Sequence, residues 1–262
     1  MGKFINHSSC ENCGSSDANS LYDDGSMYCF SCNTYTSALT ATEGELYTMT
    51  QQANSITEST RQSIQNSQNR IWNGDITDRK ITRATCKRYG VTIEVNSNGE
   101  PVSHRYPYYD KHNSQVATKI RTISTKEFRT IGNWVTTGLF GQQLFNSPAK
   151  FITVCEGELD ALATHQMLGN YPVVSIRNGA SSALKDCKRS LEFLDSFENI
   201  VLCFDNDGPG RKASQEVADL FTPGKCHILT TELKDPCEYL KSNRSKDFVN
   251  EWFNNKQQYT PE

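Results

Sequence analysis

Hydrophobic and polar positions divide this chain into two regimes. From Lys150 onward, short unbroken apolar runs alternate with helix-like stretches. Phe151-Ile152-Thr153-Val154-Cys155, Val173-Val174-Ser175-Ile176 and Ile200-Val201-Leu202-Cys203-Phe204 read as buried strands. Helices are predicted over Glu158–Leu168, Ser182–Phe193 and Arg211–Phe221, with a further short strand at His227–Leu229. Strands alternating with helices predict a parallel sheet joined by right-handed crossovers. Upstream, the pattern predicts a helix over Asp78–Tyr89 capped by Thr77 or Asp78. Strand-like runs follow at Val91–Val95, Arg105–Tyr109 and Val116–Ile123, and Asn98-Gly99 is a hairpin signal. This middle region reads as antiparallel and mixed.

The first 36 residues are rich in cysteine and carry Gly-Ser-Ser and Asp-Asp-Gly turn signals, as in a small unit held by metal rather than by a core. Residues 37–68 are dominated by Thr, Ser, Gln and Asn and read as a flexible linker. Four segments are therefore expected: a zinc-binding β ribbon (1–36), the linker (37–68), a basic α+β subdomain (69–149) and an α/β parallel-sheet core (150–262). The 262 residues are 36% apolar and carry a formal net charge of −3, so a nucleic-acid partner could be signalled only by local clustering. No apolar run reaches the roughly 18 residues a membrane helix needs, and no signal peptide opens the chain. A cytoplasmic protein without membrane contact is expected. In that setting ten cysteines favour metal binding or buried thiols over disulfides.

Cys10-x-x-Cys13 and Cys29-x-x-Cys32, with fifteen residues between them, place two sulfurs on each of two tight turns, the arrangement tetrahedral zinc requires. Four thiolates close the shell, so this zinc, one per chain, is structural. The residues between the pairs include Tyr22, Asp24, Ser26 and Tyr28, which could stack on and hydrogen-bond to unpaired bases. Packing of a miniature core would employ the same tyrosines. Glu156 directly follows one predicted strand, and Asp205-Asn206-Asp207 follows another. Asp160 lies one helical turn beyond Glu156, and Asp235 follows the last short strand. Carboxylates at the carboxyl ends of parallel strands sit where such sheets build their sites. Several together call for divalent cations, Mg²⁺ or Mn²⁺, which in a pair serve phosphoryl transfer. Capping of the following helices is the competing use of these acids. Between Val102 and Ile131, six Lys and Arg face only Asp110 and Glu127; Lys119 and Arg121 share one side of a strand, with Lys126 and Arg129 close behind.

Together, Cys10-Glu11-Asn12-Cys13-Gly14-Ser15-Ser16-Asp17, Glu156-Gly157-Glu158-Leu159-Asp160, Asp205-x-Asp207, Gly210-Arg211-Lys212-Ala213 and Lys234-Asp235 resemble a known family. The set is similar to the primase part of the primase–helicases of T-odd bacteriophages: a zinc ribbon ahead of a toprim unit. The resemblance covers nearly the whole chain apart from the linker. It implies metal roles for Glu156, Asp160, Asp205, Asp207 and Asp235, with Glu156, Asp205 and Asp207 catalytic. It implies nucleotide binding by Lys119, Arg121, Lys126 and Arg129. It further implies an enzyme that makes short RNA primers from ribonucleoside triphosphates on single-stranded DNA, beside a replicative helicase and a DNA polymerase, in the host cytoplasm. Two departures stand out. No GxxxxGK[ST] motif occurs, so a helicase motor is expected on another segment or another chain. Ser26 stands where the family pattern leads one to expect histidine. Two other readings use the same residues: a zinc–toprim scaffold that binds DNA without chemistry, and a toprim nuclease. A topoisomerase would need a covalent tyrosine within a much larger DNA gate.

Overall fold

The computed structural model describes residues 3–10, 12–24, 26–36, 70–145 and 149–261. The linker expected over 37–68 lies outside them. The chain separates into two compact units. One holds the described residues up to Trp72 with Ile93–Arg105 and Val116–Thr136; the other holds Asn73–Thr92, Tyr106–Gln115 and Thr137–Glu262.

The first unit opens with a four-stranded antiparallel ribbon: β1 (Phe4–Ser8), β2 (Asn19–Tyr22), β3 (Met27–Cys29) and β4 (Thr34–Thr36), in that order. Alternation sends neighbouring residues to opposite faces. Asn19, Cys29 and Thr34 are cross-strand partners on one face, and Ser20, Tyr28 and Tyr35 on the other. A second sheet has the order β5 (Arg70–Trp72), β6 (Thr92–Val95), β7 (Pro101–Tyr109), β8 (Gln115–Thr122) and β9 (Phe128–Gly132). The Asn98-Gly99 signal marks a real turn: Asn96 Oδ1 accepts the N–H groups of Asn98 and Glu100, each at 3.0 Å, and Gly99 takes φ +82°.

The second unit is built on β10 (Phe151–Cys155), β11 (Val173–Ser175), β12 (Asn199–Cys203), β13 (Cys226–Leu229) and β14 (Lys256–Gln258), ordered β11-β10-β12-β13-β14. The first four strands run parallel and β14 closes the edge antiparallel. All of β11 and nearly all of β10 and β12 are buried, which is why they read as unbroken apolar runs. The helices are α1 (Arg83–Tyr89), α2 (Glu158–Leu168), α3 (Ala183–Arg189), α4 (Leu191–Asp195), α5 (Gly208–Ala218), α6 (Pro236–Lys241) and α7 (Ser245–Asn254).

Several expectations need correction. The helix expected over Asp78–Tyr89 begins only at Arg83. Thr77–Arg79 is a single 3₁₀ turn ended by Lys80 at φ 56°, and Thr82, not Thr77 or Asp78, caps α1 by accepting the Thr85 N–H. The helix expected over Ser182–Phe193 breaks at Ser190, whose φ of −103° leaves the helical range and whose Oγ donates to Gln142 Oε1 at 3.0 Å. Helix α5 starts three residues before Arg211, because Asp207 caps it and Pro209 suits the first turn. Trp252 anchors α7 under the sheet: its indole N–H donates to Thr153 Oγ1 at 3.0 Å and its ring packs against Phe151 and Tyr171. No helix among the described residues is long and apolar enough to cross a membrane.

Candidate active site

In the second unit the acids stand at the carboxyl ends of three neighbouring strands. Glu156 leaves β10, Asp205 and Asp207 leave β12, and Asp235 follows β13; Asp160 sits in the first turn of α2. The Glu156 carboxylate is held by two backbone donors, Ala180 N–H and Asp205 N–H, each at 3.2 Å. Burial and the neighbouring Asp205 push its pKa up. A second cluster joins Asp160, Asp235 and Cys237, whose ligand atoms all lie within 4.8 Å of one another. Burial, then Asp235 and Asp205, raise the Asp160 carboxyl to about 7. Burial also raises Asp235. Burial first, and then like charges gathered at one edge of a sheet, account for the shared direction, and a divalent cation is the species that relieves the repulsion. The donor set therefore fits hard cations.

The competing use of the acids is also realised. Asp207 Oδ1 accepts the Gly210 N–H at 2.9 Å and caps α5; Asp235 Oδ1 accepts the Glu238 N–H at 3.0 Å and caps α6. Each cap employs one carboxylate oxygen and leaves the other for a ligand. Asp205 pairs with Lys234 Nζ at 3.1 Å. Sequence reasoning had not placed Lys234 or Cys237 here. The signal for both was their position on either side of Asp235, a helix cap that turns the first turn of α6 toward the acids.

The ribbon gathers Cys10, Cys13, Cys29 and Cys32 into one group. Cys10 and Cys32 sulfurs are 3.8 Å apart, and those of Cys13 and Cys29 are 3.7 Å apart. A tetrahedron of sulfurs about 2.3 Å from a central ion has edges of about 3.8 Å, so the four thiols fit a tetrahedral metal. The Ser15 backbone N–H draws the Cys13 thiol down to about 7, toward the thiolate a metal binds.

The proposed base readers stand in different settings. Asp24 is exposed, and Tyr22 and Tyr28 are half-buried. Tyr28 donates from its hydroxyl to Asn33 Oδ1 at 3.0 Å and meets Phe30 edge-on. Ser26 is buried, with both its hydroxyl and its N–H directed to Asp24 Oδ1. Two aromatic residues that sequence reasoning missed, Phe30 and Tyr35, are 62% and 53% exposed and, with Phe4, form open aromatic surface on the ribbon. Alternation from Tyr28 across β3 and β4 was the available signal. Among the basic residues, Lys119 and Arg121 are buried on one side of β8, and Lys119 Nζ lies 4.5 Å from the Phe128 ring centre. Lys126 and Arg129 are exposed on the β8–β9 hairpin.

A family profile described as Toprim-like matches residues 153–240. Another, described as the bacteriophage T7 DNA helicase/primase N-terminal a+b fold, matches residues 74–132. The primase fragment of the bacteriophage T7 primase-helicase, known from a crystal structure, aligns over 95% of this chain and 99% of its own length, with 31% identity and a TM-score of 0.64. This chain belongs to the T7-type phage primase family. That family is one of enzymes. The same similarity extends to the primase domains seen with T7 lagging-strand DNA polymerase, an RNA/DNA hybrid and dTTP: 33% identity over 72% of this chain and 94% of that one, TM-score 0.66. The DNA helicase/primase of Enterobacteria phage T3 is 36% identical over 245 residues, which is 90% of this chain but only 41% of that protein. The chain thus spans less than half the length of this curated relative.

Proposed function

We propose that this chain is a DNA primase that joins ribonucleotides into short RNA primers on single-stranded DNA. The observation that carries the reading is the set of four carboxylates following neighbouring strands with a fifth, Asp160, in the first turn of α2, three of the five with raised pKa values, in a chain that also gathers four thiols. Two divalent ions, Mg²⁺ or Mn²⁺, would neutralise charge on the attacking and leaving oxygens of phosphoryl transfer. Glu156, Asp160, Asp205, Asp207 and Asp235 would hold them. Lys119, Arg121, Lys126 and Arg129 supply positive charge for the triphosphate. The four cysteines hold one structural zinc, and the ribbon reads the template through Tyr22, Tyr28 and Asp24. The buried setting of Ser26 gives it the lesser role of shaping the Asp24 turn. The expected division into ribbon, linker, basic subdomain and toprim core serves this reading: a tethered ribbon raises the template's effective concentration.

The T3 relative is described as a helicase/primase, and the T7 primase domains occur with a DNA polymerase. We extend both partners to this protein, along with the host cytoplasm as its place of work. The deciding assay incubates the chain with Mg²⁺, one labelled ribonucleotide among four, and a pool of random single-stranded DNA templates. Short template-dependent oligoribonucleotides are expected, and none from Asp205→Ala or Asp207→Asn, the second of which keeps the helix cap. DNA binding with no product would favour the scaffold, and shortened DNA would favour a nuclease. Full synthesis by both variants would sink the metal assignment.

A further inference from the structure

We propose that Asp186 and Arg177 are positioning residues for Glu156. They fix the loop Arg177–Ser182 in the shape that aims the Ala180 N–H at the Glu156 carboxylate. This rests on the reading of Glu156 as a metal ligand. Arg177 leaves the end of β11 and is 4% exposed; Asp186, in α3, is 1% exposed. Asp186 Oδ1 accepts Arg177 Nε–H and faces Nη2, both at 2.9 Å, while Oδ2 accepts the Arg177 backbone N–H at 2.8 Å. Ser182 Oγ, at the far end of the loop, lies 2.9 Å from Asp186 Oδ2 and 3.2 Å from the Gly179 carbonyl oxygen. Arg177 Nη1 donates to Thr137 Oγ1 at 2.8 Å. One carboxylate therefore ties down both ends of the loop. At its middle, Gly179 takes φ +74°, where glycine is strongly favoured, and the next N–H is the Glu156 donor.

A buried ion pair is a poor source of stability, since desolvation offsets most of the attraction. Its return here is geometric. Four donors converging on one carboxylate leave the loop a single arrangement, and the Glu156 oxygen inherits that precision through Ala180. Groups that orient a metal ligand through hydrogen bonds typically change metal affinity by about 10- to 100-fold when altered.

The test titrates the full, zinc-loaded chain with Mn²⁺ alone, following free Mn²⁺ by electron paramagnetic resonance, with thermal melts in parallel. Asp186→Asn keeps the side-chain shape and removes the charge. It is expected to weaken Mn²⁺ binding about tenfold or more at temperatures where both proteins are fully folded. Ser182→Ala leaves the ion pair intact and is expected to show a smaller loss in the same direction; it decides alone if Asp186→Asn does not fold. A lowered melting temperature with unchanged Mn²⁺ affinity would mean a merely structural pair and would overturn the proposal. Absence of Mn²⁺ binding by the unaltered chain would overturn the Glu156 reading and this one with it.

Discussion

Gly210→Ala offers a sharp test of how α5 is seated against the acids. Gly210 is the third residue of α5, and its N–H is the one that Asp207 caps. A Cβ built there would lie 2.1 Å from the Asp205 carbonyl oxygen and 3.0 Å from its carbonyl carbon. Comfortable contacts between such atoms begin near ~3.5 Å, so helix and loop must part by more than an ångström, and neither side is a flexible side chain. Replacing glycine by alanine inside a helix ordinarily gains about 1 kcal/mol. Overpacking of rigid groups costs about 1–3 kcal/mol. The variant should therefore be destabilised by about 1 kcal/mol, against the propensity trend. Moving Asp205 by about 1 Å should also cut templated ribonucleotide incorporation about 100-fold. Gly208→Ala is the control, because the added methyl meets nothing within 4 Å beyond its chain neighbours and its own helix backbone. With no clash to offset the propensity gain, its stability should hold or rise, by up to about 1 kcal/mol. Thermal melting by circular dichroism and the incorporation assay measure both. A Gly210→Ala protein that melts at or above the unaltered chain with full activity would refute the seating of α5 on Asp205.

Zinc removal by a chelator should unfold the ribbon and abolish templated synthesis, while the cooperative melt of the parallel-sheet unit persists; loss of both transitions together would contradict this separation. Trp252→Ala should lose about 3–5 kcal/mol of stability, read from denaturant midpoints, because a 1% exposed indole leaves both a cavity and a Thr153 hydroxyl without its donor. His165 is buried against Tyr89, and burial followed by Arg88 holds its pKa below the usual value. The unfolded chain therefore takes up this proton first, so its contribution to stability is complete above about pH 6.5 and declines as pH falls through the window below it. The melting temperature should drop less steeply from pH 7 to 5 in His165→Leu; an unchanged slope would rule His165 out as the cause.

Much of the second unit is legible in sequence for one reason. Its strands are buried on both faces, so local composition and tertiary role coincide: the predicted span Phe151–Cys155 matches β10 residue for residue, and Glu158–Leu168 matches α2. Legibility fails where a distant partner decides. Ser190 belongs to a helix by propensity, yet its bond to Gln142, far off in sequence, accompanies the break. Lys80 adopts a left-handed turn while its ammonium reaches the Lys241 carbonyl oxygen at 2.7 Å. Phe30 and Tyr35 look like core residues by hydrophobicity; alternation puts them on the Tyr28 face, and the pairing of ribbon strands leaves that face open.

The sequence by itself determined the chemistry available to this protein. Two CxxC turns and acids directly after apolar runs are local patterns, because a tight turn and a strand end are each set by a few neighbouring residues. Tertiary structure alone decided which of those groups meet. It brought Cys237 to Asp160 and Asp235, placed Lys234 on Asp205, and closed the Arg177–Asp186 pair around the loop that holds Glu156. Those encounters depend on the order and register of parallel strands joined by crossovers, and no local window of the chain contains that information.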